Sequence, residues 1–154
     1  MDLLGRKLQI EQLDKKLSRV RILREIDVPA KGWIGTIRTA LNMSLVQLGK
    51  RLGKTSVSVK EMEEREQNKS ITLKKLAEAG NALGLELVYG FIPKNISLEQ
   101  MIEERALEVA RDIVMRTSHT MKLEDQENTG ERLQKAIKER AAAIQREMPK
   151  YLWD

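Results

Sequence analysis

The side chains between Thr55 and Glu61, in the segment TSVSVKE, have the types that recognise a ligand through hydrogen bonds and charge. Hydroxyl groups donate and accept hydrogen bonds, a lysine ammonium pairs with phosphate, and a carboxylate accepts from an amino group on a base edge. The sequence offers no convincing nucleophile–base pair. The chemistry that we expect here is therefore reversible binding to nucleic acid.

Composition argues against catalysis. The 154 residues include no cysteine and a single histidine, His119, which we interpret as structural. No glycine-rich phosphate loop is present, and the carboxylate pairs Glu63–Glu64 and Glu103–Glu104 lie in helical charge runs that water solvates. We predict a protein that is not an enzyme and that binds neither a metal nor a cofactor. Without an 18-residue apolar run or a signal-peptide core, we expect it to be soluble and cytoplasmic, with no membrane partner.

Two short helices with a tight turn, within Ser44–Arg65, must position the polar segment. Ser44 can cap the first helix, Gly53 can end it in the left-handed conformation, and Thr55 can cap the second. The inward faces would carry Leu45, Leu48, Leu52, Val59 and Met62. The residues left on or near the outward face are Ser56, Val57, Ser58, Lys60 and Glu61. Such a helix suits insertion into a DNA major groove.

The charge is unevenly distributed along the chain. The net charge is +5, but residues 1–60 hold 13 Lys and Arg against 5 Asp and Glu, whereas residues 61–154 hold 15 against 18. The basic half contains the first part of the predicted DNA-binding stretch, and Lys69 in the polar loop that follows could reach a phosphate. A solvated basic surface would give the same asymmetry.

Helical patterns extend on both sides of this stretch. Residues 3–26 predict a basic amphipathic helix, which either contacts phosphate or a partner, or packs on the core. Gly32–Leu41 predicts a helix with Trp33, Ile34, Ile37 and Leu41 buried, and a further helix starts at the Thr72 cap and ends at Gly84. The capping box Ser97–Gln100 begins a helix to about Arg116; residues 117–130 interrupt the pattern, and a last helix covers about 131–148. The apolar residues of the tail Tyr151–Trp153 should pack against another surface, either a partner or the protein's own core.

One segment differs, because residues 85–92, LELVYGFI, are rich in β-forming side chains and stop at Pro93. A lone strand leaves its backbone donors and acceptors unpaired, so we expect it to pair antiparallel with the same strand of a second copy. The predicted dimer residues are Leu85, Leu87, Tyr89 and Phe91. An extended segment lying over the helices is the alternative. The fold class expected is thus mainly all-α with one β-strand for dimerisation.

The block Gly32–Gly84 resembles the helix-turn-helix domain of the Xre family of Cro-type repressors. The resemblance rests on Ser44, the run Leu48-Gly49 through Leu52-Gly53, Thr55, the pair Val59 and Met62 followed by Glu63, and Leu76-Ala77 through Leu83-Gly84. It implies a lambda-repressor-like bundle with its recognition helix at about Ser56–Glu64. The DNA-binding residues implied are Ser44, Leu45, Lys54, Thr55, Ser56, Val57, Ser58, Lys60, Glu61 and Lys69. Glu61 would favour cytosine; if it points away from the groove, Ser56, Ser58 and Lys60 supply the readout.

A longer resemblance, to the family called mobile mystery protein A, rests on GWIGTIRTALNMS (32–44), ITLKKLAEAGNALGLELVYGFIP (71–93), SLEQMIEERA (97–106) and HTMKLEDQ (119–126). Members are small helix-turn-helix proteins whose genes commonly neighbour that of a Fic-domain protein. This resemblance implies a toxin–antitoxin setting. Fic domains are often inhibited by a glutamate in a Ser/Thr-x-x-x-Glu pattern, which Thr120 and Glu124 match, although Asp125 follows in place of glycine or asparagine.

We therefore expect four regions: an N-terminal basic helix at 1–28, a DNA-binding domain at 29–84, a dimerisation strand at 85–93 and a partner-binding helical region at 94–154. The expected function is that of a homodimeric regulator that represses its own operon at a palindromic operator and serves as the antitoxin of a Fic-type pair. The alternative is an antitoxin that acts mainly by binding and inhibiting a Fic-domain nucleotidyltransferase, with DNA binding secondary.

Overall fold

The computed structural model describes residues 2–123 and 130–154, and they are mainly α-helical, as the sequence predicts. Two 3₁₀ helices, Arg21–Glu25 and Lys150–Trp153, follow the first and last α-helices. The α-helices are α1 (Leu3–Val20), α2 (Gly32–Ala40), α3 (Leu45–Leu52), α4 (Ser56–Gln67), α5 (Leu73–Ala82), α6 (Leu98–Leu123) and α7 (Gly130–Glu147). None of the described helices is both long enough and apolar enough to cross a membrane.

The strand predicted at residues 85–92 is wrong, because the described chain contains no β-strand. The β-forming side chains are present, but a strand exists only when a second extended segment accepts its backbone hydrogen bonds, and the described residues of one chain offer none. The segment has irregular structure, in which Leu87 is half-buried and Leu85 is exposed. Tyr89 and Phe91 are 72% and 82% exposed.

Two predicted helix ends also differ from the structure. The helix expected at 3–26 is α-helical only to Val20 and continues as the 3₁₀ helix Arg21–Glu25. The helix expected to end at Arg116 continues to Leu123. Its polar residues are compatible with a helix because the Thr117 hydroxyl donates to the Ile113 carbonyl oxygen (3.1 Å), while the small side chain of Ser118 is buried.

The chain divides into two compact units. The central unit is Ile22–Gly90, and the terminal unit consists of Met1–Arg21 together with Phe91–Asp154. The central unit is therefore continuous in sequence and contains α2 to α5. The terminal unit joins α1 to α6, α7 and the second 3₁₀ helix.

The central unit has an aliphatic core. Its buried residues come from all four helices: Ile34, Leu48, Val59, Met62, Ala79 and Leu83. Arg51 at the end of α3 donates to the Ala82 carbonyl oxygen at the end of α5 (3.2 Å), where a cation complements the helix dipole. Contrary to the prediction, Trp33 and Leu41 are not buried. Trp33 lines an apolar groove of about 410 Å³ on the surface of this unit.

The terminal unit is built on the packing of α6 against α7, where small alanines allow close approach. Its core is formed by Ile102, Ala106, Ala110, Ile137, Ala141, Ile144 and Leu152. The Asp14 carboxylate of α1 accepts from the backbone N–H of Leu98 (2.7 Å) and Glu99 (3.2 Å), and thereby caps α6. The Ser97 hydroxyl adds the predicted cap by accepting from the Gln100 N–H at 3.1 Å.

The apolar tail docks on this same core. Leu152 is fully buried, whereas Tyr151 and Trp153 remain exposed. The Arg105 guanidinium holds the tail by donating to the main-chain oxygens of Leu152 (2.6 Å) and Asp154 (2.5 Å). A single leucine anchor and one arginine therefore fix the last turn of the chain.

Candidate nucleic-acid interface

Helix α3 begins at the cap that the sequence predicts. The Ser44 hydroxyl accepts from the Gln47 N–H (3.1 Å), and the Gln47 side-chain oxygen accepts from the Ser44 N–H (2.8 Å). This reciprocal capping box satisfies two backbone donors that a helix start otherwise leaves unpaired. Ser44 remains exposed, whereas Leu45 is half-buried and packs against the core of the central unit.

The turn between α3 and α4 depends on two glycines. Gly53 adopts a left-handed conformation with φ of 66° and ends α3. The Lys54 N–H then folds back to donate to the Gly49 carbonyl oxygen at 2.8 Å. A Cβ on Gly49 would lie only 2.5 Å from the Lys54 carbonyl oxygen. The role of Gly49 was missed from the sequence, although a glycine inside a helix is a signal of close backbone approach.

Helix α4 presents a defined outward surface. The Thr55 hydroxyl caps it by accepting from the Ser58 N–H (3.1 Å), and Val59 and Met62 are buried beneath it. The outward ridge, which we define as Val57, Glu61 and Glu64, follows the i, i+4, i+7 spacing of one helix face and is exposed. Lys60 and Arg65 lie beside the ridge and are also exposed, whereas Ser56 and Ser58 are half-buried.

Two carboxylates of α4 turn inward to α2. Glu63 accepts from Arg38 Nε (2.6 Å) and Nη2 (3.2 Å), and Arg38 Nη1 donates to the Met43 carbonyl oxygen at 2.8 Å. The hydrogen bonds that Arg38 donates to Glu63, aided by the negative charge of Glu63, raise the pKa of Arg38 above its usual value although burial opposes the shift. Arg38 therefore stays charged and ties α4 to α2.

The second inward carboxylate, Glu66, caps α2. Its two oxygens accept from the backbone N–H of Trp33 (2.6 Å) and Ile34 (2.8 Å). Gly32 makes room for this contact, because a Cβ there would lie 2.8 Å from the Glu66 carboxylate, and its φ is +76°. Sequence inspection did not find this cap or the Arg38–Glu63 pair, since the partners lie 33 and 25 residues apart.

The electrostatics of the surface follow from these inward contacts. With Glu63 and Glu66 engaged, Glu61 and Glu64 are the α4 carboxylates directed to solvent. The first turns of α3, α4 and α5 contain no acidic residue, so their helix dipoles favour an anion at each N-terminus. Exposed Lys60, Lys69 and Lys74 surround α4 and the start of α5, while Lys54 is half-buried. Lys74 was not among the predicted contacts.

The predicted site residues thus fall into three groups. Those from Ser44 to Lys69 belong to α3, α4 and their adjoining turns in the central unit. The predicted dimer residues are exposed or half-buried and lie outside any strand. For the predicted partner contact, Thr120 lies in α6, but its side chain and the whole of Glu124 are outside the described residues.

Comparisons of this chain with protein-family models, with curated proteins and with solved structures returned no match. The functional assignment therefore depends on the chain's own residues and on the geometry of the central unit.

Proposed function

We propose that the central unit is a lambda-repressor-like helix-turn-helix domain and that the protein is a sequence-specific, cytoplasmic DNA-binding transcriptional regulator. One observation carries the proposal: α4 is capped, braced to α2 by two inward carboxylates, and exposed along the opposite ridge. A helix held this firmly with one free face is the arrangement that a major groove can accept.

Binding in this proposal uses charge and hydrogen bonds without covalent chemistry. The exposed lysines Lys60, Lys69 and Lys74 neutralise phosphates, and the positive ends of the α3 and α5 helix dipoles add to the attraction. The ridge of α4 faces the base edges. Each phosphate contact releases about 0.9 counterion, so the affinity falls steeply as salt rises.

We propose a homodimer, which has two copies of this DNA-binding unit. The segment 85–92 supports it, because its exposed aromatic residues Tyr89 and Phe91 would be covered by the same segment of a second copy. Leu85 and Leu87 complete the proposed contact. A two-fold axis then presents two α4 helices to a palindromic operator, which we propose lies upstream of the protein's own gene.

A second candidate function is direct inhibition of a Fic-domain partner, and one feature of the terminal unit favours it. An apolar groove of about 510 Å³ lies among α1, α6 and α7, with Leu3, Leu4, Ile10 and Ile102 in its wall. Leu4 is 77% exposed there. An exposed apolar groove with a charged rim fits a protein partner. Thr120 and Glu124 remain the proposed inhibitory contact.

The direct test is a mobility-shift titration of the full chain on the DNA upstream of its gene, at two salt concentrations. We expect a shift at low salt that weakens by more than tenfold at the higher salt. A scrambled duplex of the same length and composition is the control for sequence specificity. Absence of any shift on the upstream DNA at low salt would refute the proposal.

The second function is tested separately by co-purification of the full chain with the product of a neighbouring Fic-domain gene. Leu4→Glu places a charge in the groove of the terminal unit and should abolish co-purification while leaving the DNA shift intact. Lys135→Glu, at an exposed position of α7 outside that groove, is the control. If wild type and the neighbouring protein do not co-purify, this second function is excluded.

A further inference from the structure

The outward ridge of α4 carries an aliphatic side chain and a carboxylate one helical turn apart. Val57 is 66% exposed, so its branched aliphatic side chain is accessible to a ligand. Within the described residues no hydrogen bond or ion pair engages Glu61, in contrast to the inward-turned Glu63 and Glu66. The aliphatic side chain of Val57 and the carboxylate of Glu61 therefore both extend from the outward ridge of α4, which Glu63 and Glu66 hold against α2.

The chemistry of these two groups selects particular base edges. A carboxylate accepts hydrogen bonds only, and in the major groove cytosine presents the N4 amino donor without an adjacent acceptor on the same base. Guanine presents only acceptors there, so Glu61 would repel it. An aliphatic side chain has no hydrogen bond to offer, and the C5-methyl group of thymine is the apolar feature of the major groove.

The spacing on α4 sets the distance between the two bases. Residues four apart in a helix are separated by about 6 Å along its axis. Stacked bases are about 3.4 Å apart along a strand. If α4 lies along the run of bases in the groove, Val57 and Glu61 reach bases that are one or two steps apart in one half-site.

The flanking residues do not offer an equivalent readout. Ser56 and Ser58 are half-buried, and the Ser58 N–H is already used by the Thr55 cap. Glu64 lies one turn further along the ridge, and the N-terminal residues of a recognition helix are the ones that contact base edges. Lys60 lies beside the ridge, where a cation meets phosphate.

We infer that Val57 and Glu61 form a direct-readout site for a thymine methyl group and a cytosine N4 amino group, one or two base steps apart, in each operator half-site. This inference rests on the proposed function, since it names the bases that the same surface selects. Val57 supplies van der Waals contact to the methyl group. Glu61 accepts the N4–H hydrogen bond and disfavours guanine by charge and by the lack of a donor.

The experiment is selection from a randomised duplex library with the full chain, followed by titration on the selected duplex. Wild type should enrich a site that contains T and C at this spacing. Glu61→Gln should lose the cytosine and gain adenine at that position, because an amide matches the N6 and N7 groups of adenine. Glu78→Gln, a change of the same type at an exposed position of α5 outside the ridge, should leave the selected sequence unchanged.

Replacing the selected thymine by deoxyuridine removes only the methyl group. We expect about a fourfold loss of wild-type affinity, the value for one buried methyl group, and no further loss for Val57→Ala. Two results would overturn the inference: Glu61→Gln selects the wild-type cytosine, or Val57→Ala remains as sensitive to deoxyuridine as wild type. If the wild type enriches no sequence at all, the proposed sequence-specific function itself fails.

Discussion

The guanidinium of Arg38 in α2 and the carboxylate of Glu63 in α4 form a two-point ion pair, with N–O distances of 2.6 and 3.2 Å. Only 16% and 14% of their side-chain surfaces remain exposed. Glu63→Ala leaves Arg38 largely desolvated without its partner, which should lower the free energy of unfolding of the central unit by about 2–3 kcal/mol. Urea unfolding in a Trp153→Phe background measures this loss, because Trp33 then reports the central unit alone.

Glu64→Ala is the control, since Glu64 is exposed and its loss should cost less than about 0.5 kcal/mol. A raised folded-state pKa makes the contribution of Arg38 complete below its unfolded-state pKa, and it is lost only as the pH rises through the folded-state value. Titration of this arginine should therefore leave stability unchanged between about pH 6 and 9. Equal losses for Glu63→Ala and Glu64→Ala would contradict the role of the pair.

Gly49→Ala and Gly80→Ala are the same chemical change, but we expect the first to lower the free energy of unfolding and the second to raise it. At Gly49 the new Cβ would lie 2.5 Å from the Lys54 carbonyl oxygen, so the α3–α4 turn must move and stability should fall by about 1 kcal/mol or more. At Gly80 the nearest atom is the Leu85 carbonyl oxygen at 3.5 Å, an ordinary contact. That variant should gain about 0.5–1 kcal/mol from helix propensity. Thermal unfolding of both variants measures the difference, and a stabilised Gly49→Ala would refute the close-approach argument.

Lys60→Ala tests the phosphate-contact part of the proposal. Removing one cation beside the groove should weaken binding to all duplexes and lower the slope of log affinity against log salt by about 1. Lys135→Ala, also an exposed lysine but on α7, should change neither quantity. Titrations at four salt concentrations give the slopes. An unchanged slope for Lys60→Ala would remove this residue from the interface.

Tyr89→Ser and Phe91→Ser test the proposed dimer. Each replaces a largely exposed aromatic ring by a small polar group, which should weaken self-association by at least tenfold if the rings are buried between copies. Analytical ultracentrifugation of the full chain measures the change. Ile96→Ser removes another exposed apolar side chain beyond Pro93, outside the proposed contact, and should leave association unaltered. A wild type that stays monomeric at high micromolar concentration would contradict the dimer.

Leu152→Ala tests the anchoring of the tail. Leu152 is fully buried, so truncation should cost the terminal unit about 3 kcal/mol. Urea unfolding in a Trp33→Phe background follows Trp153 and thus the terminal unit. Tyr151→Ala, at an exposed neighbouring position, should cost much less. Similar losses for the two variants would mean that the tail is not held by its leucine.

The parts of the structure that sequence reasoning found are those with local causes. Ser44, Thr55 and Thr72 each accept from a backbone N–H three residues ahead, so a hydroxyl before an apolar period is enough to place a helix start. The burial of Val59 and Met62 follows from the same period. These local rules placed both ends of α3 and the start of α4, whereas α4 continues three residues past the expected end at Glu64, to Gln67.

The features that sequence reasoning missed depend on residues that are far away in the sequence, or on a neighbouring strand that the described chain lacks. The Asp14 cap of α6 and the Glu66 cap of α2 join residues 84 and 32 positions apart, which no local pattern reveals. The segment 85–92 has β propensity, but propensity cannot supply a neighbouring strand. The helix α6 continues past Arg116 although Thr117 is polar, and the Thr117 hydroxyl bonds to the Ile113 carbonyl oxygen within the helix.

The bond from Asp14 to the start of α6 also has a consequence for synthesis on the ribosome. The contacts of the central unit lie within one continuous stretch, so it can fold as soon as Gly90 has left the exit tunnel. Helix α1 has left the tunnel by then, but its partner α6, which begins at Leu98, is still inside it. The central unit, which we propose binds the operator, can therefore be folded while the apolar face of α1 is still uncovered. During that interval chaperones and proteases have access to this uncovered face of the nascent chain.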